Sequence, residues 1–414
     1  MTPSSDPSPA SAETGQATIL VLNAGSSSLK AGLFAPAPGT GFAGEEALIT
    51  ASASGPGQSG GKLTVTDAQG TVLAQEDHSM APSDEALSAI SAALTPHAPP
   101  PHAIGHRIVH GGPRLRAPVR VTDDVLAQLR RSVHFAPLHL PGSLKLIEAA
   151  SRLYPGTPQF ACFDTAFHAT MPAESRRLPV PEIYAAQGVQ RYGFHGLSYE
   201  SLIAQLRFSG EPLPERIVCA HLGGGSSLCA VLRGRSIDTT MGLTPTGGVP
   251  MATRTGDLDP GVLLFMARTQ RLSLDALESL INHDAGLTAI CGASDMQAIE
   301  AMRTNGADAR TQAAANLAFS IYTTAVAKSI AALTVSLGGL DLLVFTGGIG
   351  EHSSAVRAAV LSHLAIFGVR YNQEANAQGA ARIDAAKSKI PIRIVPAEED
   401  LIIAQHTRQL LALR

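Results

Sequence analysis

The stretch Leu22–Lys30, LNAGSSSLK, leaves a short apolar strand, Ile19–Leu22, and turns through glycine and three serines into a second apolar segment, Leu29–Phe34. Glycine lets a backbone approach a ligand closely, serine hydroxyls add donors, and successive backbone N–H groups in such turns form nests for phosphate oxygens. The same plan returns at 221–228, HLGGGSSL, between the apolar segments Ile217–Ala220 and Leu228–Leu232. A third small-residue segment, FTGGIGEHS at 345–353, follows another apolar strand. None of the three has the P-loop pattern or the glycine spacing of a dinucleotide fingerprint. One such turn alone reads as an ordinary hairpin. Three in this order read as a nucleotide site, two hairpins for phosphates and a later glycine pair for the nucleoside.

That arrangement belongs to the actin, hexokinase and Hsp70 type of ATPase fold, which is ribonuclease H-like. The expectation is an α/β protein of two lobes, each a mixed, largely parallel sheet with flanking helices, because strands alternate with helical segments along the chain. The 414 residues support two cores, since single cores rarely grow past roughly 250–300 residues. Residues 1–16, rich in Ser, Pro, Ala and Thr with neither basic n-region nor apolar h-region, read as a disordered tail. Residues 17–164 with about 399–414 are expected to form the N-terminal lobe, and 165–398 the C-terminal, nucleotide-binding one. Helices are expected near 84–94, 123–132, 143–153, 260–268 and 274–282, with a long Ala-rich one at 310–336 and a last one from about Asp400.

Net charge is −3 with no long basic or acidic block, which speaks against nucleic acid or an anionic membrane surface as partner. No uninterrupted apolar run reaches 18 residues, so no membrane span is expected. A small metabolite suits this balance. Cys162, Cys219, Cys229 and Cys291 include no C-x-x-C pair and read as buried free thiols of a cytoplasmic protein.

Phosphoryl transfer asks for positioning and charge neutralisation more than covalent work. Arg107 sits mid-strand in GHRIVHGG and Arg254 in MATRTGDLDP. A buried arginine needs an anion, either a substrate or a structural ion-pair partner. His139 in APLHLP, His195 in RYGFHGLS and His221 in HLGGG lie beside Gly or Pro, where a lone histidine is as a rule a packing residue. Asp164 ends an apolar strand in FDTAFH. Glu398, Glu399 and Asp400 close another strand before the last helix, as charges favoured by the helix dipole or as Mg²⁺ partners. Asn23 is a second metal-side ligand or a water anchor.

In order along residues 18–408 stand LVLNAGSSSLK, GHRIVHGG, APLH, FDTAFH, RYGFHG, TRTGDLDP, FTGGIGE and PAEEDLIIA, and together they resemble the acetate kinase family. The resemblance implies reversible transfer of the ATP γ-phosphoryl group to a short carboxylate, giving an acyl phosphate and ADP. Attack is direct and in line rather than through a phosphorylated Glu399, and needs no general base because acetate is already an anion near neutral pH. Carried over residue by residue, Arg107 and Arg254 hold the carboxylate and the transferring phosphoryl group, and His195 donates to that group. His139 shapes the site, and Asp164 orients an arginine or the nucleophile. Glu399 with Asn23 places Mg²⁺, with Mn²⁺ as the alternative, directly or through water. Ser26, Ser28 and Lys30 line the phosphate path, joined by His221, Gly223, Gly224 and Gly225 of the second hairpin. Gly347, Gly348 and Gly350 give the adenosine room. The acyl pocket falls on Val109, Leu138, Phe194 and Pro245. Val109 follows Arg107 by two, on the same side of a strand, and leans toward acetate over propionate by at most the ~1–3 kcal/mol that one methylene is worth. The resemblance also implies a homodimer formed through the C-terminal lobe, with the Ala-rich helix either a core element or the contact face.

The chain departs from the family pattern at several positions. Gly224 replaces the asparagine of HLGNG, and losing such a contact to a charged group costs about 1.5–3 kcal/mol, so weaker nucleotide binding is expected. Leu140, Ala252, Tyr199, His352 and Ala397 are further departures, none of them a charged catalytic group. The alternatives are a propionate or butyrate kinase and, from another class, a catalytically weak or silent nucleotide-binding relative. Retention of Arg107, Asp164, His195, Arg254 and Glu399 speaks against the latter.

Overall fold

The computed structural model describes residues 17–25, 28–54, 61–77 and 84–413, so the tail 1–16 and Ser26 of the first hairpin lie outside the described residues. Two compact units emerge. The first takes the chain up to Ala166, then Gly196–Glu211 and the stretch from Glu398, while the second holds Phe167–His195 and Pro212–Ala397. The sequence reading ran one lobe unbroken from 165 to 398. The helix Gly196–Phe208 instead joins the first unit, because its buried Leu197 packs in one cluster with Phe160, Ile402 and Ile403.

In the first unit the strands are β1 (Ile19–Ala24), β2 (Ser28–Pro36), β3 (Glu45–Ser54), β4 (Lys62–Asp67), β5 (Val72–Asp77), β6 (Ala103–Ile108), β7 (Val119–Arg120) and β8 (Gln159–Phe163). They form one sheet in the order β5-β4-β3-β2-β1-β6-β8-β7. Strand β1 alternates between two cores: Leu20 and Leu22 pack beneath the helix Asp84–Leu94, and Ile19 and Val21 against the C-terminal helix Glu399–Ala412. Burial on both faces is why this strand reads as continuously apolar. The sheet is mixed, but five of its seven pairings are antiparallel and only β1–β6 and β6–β8 are parallel. The sheet of this unit is thus mostly antiparallel, against the largely parallel one expected. Short connections between β1 and β5 can only reverse the chain, whereas each parallel pair needs a long crossover, supplied by the helix Asp84–Leu94 and by the helices Asp123–Arg131 and Leu140–Leu153.

Gly105 decides how closely the C-terminal helix lies on β6. A Cβ there would stand 2.4 Å from Thr407 Oγ1 and 2.7 Å from Ile403 Cγ2. Only a residue without a side chain lets that helix, whose first turn carries Glu399 and Asp400, settle across the strand that carries Arg107.

The second unit is built on β9 (Arg216–Leu222), β10 (Ser226–Leu232), β11 (Arg235–Thr239), β12 (Leu342–Thr346) and β13 (Ile392–Ile394), in the order β11-β10-β9-β12-β13. Here two pairings are antiparallel and two parallel. The helix Ala309–Leu337 is capped by Asp308, whose side chain accepts from Thr311 N, and is ended by Gly338 in the left-handed region. By length and composition it could cross a membrane, but Ala315, Phe319, Tyr322, Val326, Ile330 and Leu333 are spent on the core over the sheet. Leu317 and Val335 lie exposed on it. The four cysteines are free thiols, three of them buried.

Candidate functional site

In the first unit the ends of three neighbouring strands bring Asn23, Arg107 and Asp164 together, because β6 lies between β1 and β8 and runs parallel to both. Arg107 donates from Nε to Asp164 Oδ1 at 3.1 Å and from Nη2 to Asp164 Oδ2 at 2.8 Å, a two-pronged pair. Its Nη1 donates to Asn23 Oδ1 at 3.1 Å and lies 3.5 Å from Glu399 Oε2. The amide of Asn23 turns its other end to the carboxylates, donating to Asp400 Oδ1 at 2.7 Å and Glu399 Oε2 at 3.4 Å. The Asp164 side chain is almost sealed at 2% exposure while that of Arg107 keeps 17%, so the pair is anchored on the Asp164 side and open on the arginine's. Burial alone would depress the Arg107 guanidinium, but Asp164 and then Glu399 overcome it and hold the arginine above its ordinary value. Burial pushes the Asp400 carboxyl up against the opposing bond from Asn23. Lys30 pairs directly opposite Asn23 across β1 and β2, and Ser28 opens β2.

The remaining predicted residues of this unit are less centred. His139 is half-buried at the N-cap position of the helix Leu140–Leu153. Leu138 is 47% exposed. Strand β6 ends at Ile108, so Val109 lies one residue past it and the alternation that put its side chain beside that of Arg107 no longer applies there.

The second unit gathers His195, His221, Arg254 and the second glycine loop. Ser227 and His221 are direct partners across the β9–β10 hairpin. His195 shares a hydrogen bond of 2.9 Å between its Nδ1 and Ser227 Oγ, and its ring stacks on His221 with centroids 4.2 Å apart. A Cβ placed on Gly225 would meet His195 Nε2 at 3.3 Å and Arg254 Nη1 at 3.7 Å, so the imidazole and the guanidinium converge on the glycine loop. Arg254 donates to the carbonyl of Pro245 at 3.1 Å, and burial lowers its pKa with no carboxylate opposing the shift. Among the described residues no ion pair neutralises it. A Cβ on Gly224 would meet nothing within 4 Å. His195 has a φ of 57°, a left-handed conformation that costs a non-glycine residue on the order of 1–3 kcal/mol.

The third glycine segment corrects an expectation. Strand β12 runs straight into a helix, Gly347–His352, where a loop was expected. The cause is Glu351, one helical turn on, whose Oε1 accepts from Gly347 N at 2.8 Å, Thr346 Oγ1 at 3.3 Å and Ala397 N at 3.2 Å. Gly347 takes a φ of 76°, with room for a Cβ denied by Leu222 O at 2.7 Å, and Gly348 N lies 3.9 Å from where a Cβ on Gly223 would stand. Gly350 is buried, and its carbonyl accepts from Arg357 at 2.9 Å.

Sequence reasoning missed Ser227, Glu351, Arg357 and the part played by Asp400. Glu351 had a readable signal, an acidic residue four after Gly347 at helical spacing. Arg357 had none: it is fully buried, without a carboxylate partner among the described residues, and held by the carbonyls of Gly350, Glu351 and Asn376 and by Asn376 Oδ1. Of the residues expected from the sequence to line an acyl pocket, Val109 and Leu138 fall in the first unit, and the buried Phe194 and Pro245 in the second.

Residues 18–405 match the model of the acetokinase family. An acetate kinase of Deinococcus deserti is 46% identical over 318 residues, 75% of this chain and 78% of that protein. Among solved structures, a propionate kinase of Francisella tularensis superposes with a TM-score of 0.86 at 32% identity, covering 95% of this chain and all of the other. An acetate kinase of Porphyromonas gingivalis does so with a TM-score of 0.82 at 33% identity over the same shares. On a match spanning nearly its whole length, the chain belongs to the acetokinase family.

Proposed function

We propose that this chain is an acetate kinase, catalysing the reversible reaction of ATP with acetate to give acetyl phosphate and ADP. The observation that carries the reading is Arg254: half-buried, without an ion-pair partner among the described residues, and converging with His195 on the glycine loop. A cation partly withdrawn from water and left without a counter-charge in this way favours an anionic ligand. In the forward direction a carboxylate oxygen of acetate bonds to the γ-phosphorus as the bond from phosphorus to the β,γ-bridging oxygen breaks, and ADP leaves with that electron pair. Arg107, pinned by Asp164 and Asn23, binds the acetate carboxylate and the transferring group. Arg254 and the His195 imidazole neutralise charge spread over the equatorial oxygens. Ser28, Lys30, His221 and Gly223–Gly225 serve the nucleotide phosphates, and Gly347, Gly348 and Gly350 the nucleoside.

The oxygen-rich group Glu399, Asp400 and Asn23 fits Mg²⁺, which takes one or two carboxylates and keeps several waters. Glu399 would supply the carboxylate for the ion, and Asn23, whose Oδ1 already accepts from Arg107, would act through water. When bound, the ion neutralises phosphate charge. Assembly as a homodimer and a cytoplasmic location are part of the same reading. A second reading, propionate as the preferred acid, is favoured by the likeness to the Francisella structure. The test is acyl phosphate trapped as hydroxamate from ATP, Mg²⁺ and acetate, propionate or butyrate. The highest kcat/KM with acetate supports the proposal, and a higher one with propionate moves the substrate while keeping the chemistry.

A further inference from the structure

Three non-glycine residues among those described have a positive φ: His195, Arg233 and Arg271. Arg233 lies in the turn between β10 and β11, and Arg271 ends a helix, where left-handed backbone is ordinary. His195 instead directly precedes the helix Gly196–Phe208 and carries a side chain assigned to chemistry. The peptide before it is held from one side by His168, the last residue of FDTAFH. His168 Nε2 lies 2.9 Å from the carbonyl oxygen of Phe194, and its Nδ1 lies 2.8 Å from Ser236 Oγ. A carbonyl only accepts, so Nε2 carries the proton and Nδ1 accepts from the serine. The ring is 1% exposed and lies against Gly193, where a Cβ would come within 2.7 Å of both its Cγ and Cδ2. Gly193, Phe194 and His195 are thus shaped around one buried imidazole. Burial holds that imidazole neutral, with its pKa lowered to about 4, so it keeps this single tautomer at neutral pH.

We propose that His168 is a positioning residue for phosphoryl transfer, its Nε2–H holding the Phe194 carbonyl and with it the left-handed turn that sets His195 against Ser227 and the Gly225 loop. The proposal rests on the reading above that His195 acts on the transferring group. Without the donor, the peptide between Phe194 and His195 is free to rotate and relieve its strain, carrying the His195 ring out of place.

The experiment compares His168→Leu, which removes the donor, with His168→Gln, whose amide N–H stands near the Nε2 position, using hydroxamate kinetics and hydrogen exchange of the peptide covering 190–198. In the leucine variant kcat should fall about 20-fold or more with each KM changed less than roughly threefold, the pattern of an interaction realised in the transition state. Exchange in that peptide should quicken. The glutamine variant should return to within about fivefold of the wild-type kcat with normal exchange. A leucine variant with wild-type kcat, equal losses in both variants, or a loss seen only in KM would overturn the proposal. Should the leucine variant fail to fold, Ser236→Ala, which removes the hydroxyl that holds the ring in place by donating to Nδ1, should lower kcat roughly 3–10-fold at constant KM, and an unchanged kcat there overturns it. Full activity in His195→Ala would also overturn it, by removing His195 from the chemistry. An inactive wild-type chain would overturn the functional reading itself.

Discussion

Arg107 answers to four oxygens at once, two on Asp164 and one each on Asn23 and Glu399, beside those of the substrate it is proposed to bind. Arg107→Ala is expected to lower kcat by ~10²–10³-fold, the magnitude typical of a lost charge-stabilising donor. It also strands Asp164 in the interior, at a cost of about 3–5 kcal/mol. Kinetics should therefore be read alongside urea midpoints, and the double change with Asp164→Asn should recover part of the stability but none of the rate. Gly224 makes the opposite kind of prediction. Its φ is not left-handed and its Cβ position is open, so Gly224→Asn should fold normally and tighten ATP and ADP binding, by up to the ~1.5–3 kcal/mol of one hydrogen bond to a charged group. Calorimetric titration of both nucleotides checks it, and unchanged affinity would show that backbone or water already fills that place.

At the scale of elements, the helix Glu399–Ala412 matters through where it lies. Its seat depends on Gly105, and Gly105→Ala forces a methyl against Thr407 and Ile403. The expected cost is about 1–3 kcal/mol of stability, as for other overpacked cores. Because the first turn carries Glu399, the variant should also raise the Mg²⁺ concentration needed for half-maximal rate. A normal denaturation midpoint with normal Mg²⁺ dependence would show that the helix can slide without moving its first turn. The helix Gly347–His352 shows why elements were only partly legible. GGIG has the composition of a loop, and propensity alone argues against helix. The Glu351 carboxylate satisfies the Gly347 N–H and the Thr346 hydroxyl while also taking Ala397 N from a distant segment. A capping bond from one side is local, but the bond from Ala397 is tertiary and leaves no local pattern.

At the scale of the whole molecule, two buried histidines are expected to cost stability as the pH falls. His106 in the first unit, bonded to Gln159, and His168 in the second both have their pKa lowered by burial from 6.5 to about 4. Between those values the unfolded chain binds more protons than the folded one, so stability is lost as pH falls from about 6.5 and the loss is complete near pH 4. Each group should contribute on the order of 1–2 kcal/mol of this loss between pH 7 and pH 5. Urea unfolding at pH 7, 6 and 5 should show the fall, and His106→Asn should flatten the slope for the first unit. Sedimentation of the purified chain should report twice the chain mass if the proposed homodimer forms, and a single-chain mass would remove that part of the reading.

Residue order alone determined the family and the α/β class, placed seven of the helices to within a few residues, and pointed to the charged groups proposed for the candidate site, because strand alternation, small-residue turns and the motifs around Arg107, Asp164, His195, Arg254 and Glu399 are local patterns. Tertiary structure decided what those groups do to one another. That Asn23 is oriented by Arg107 and Asp400, that the sheet of the first unit is mostly antiparallel, that the helix Gly196–Phe208 packs with the C-terminal helix, and that His168 stands behind His195 all depend on segments far apart in the chain. Hydrogen bonds and burial act between neighbours in space, and a sequence lists neighbours only along the backbone.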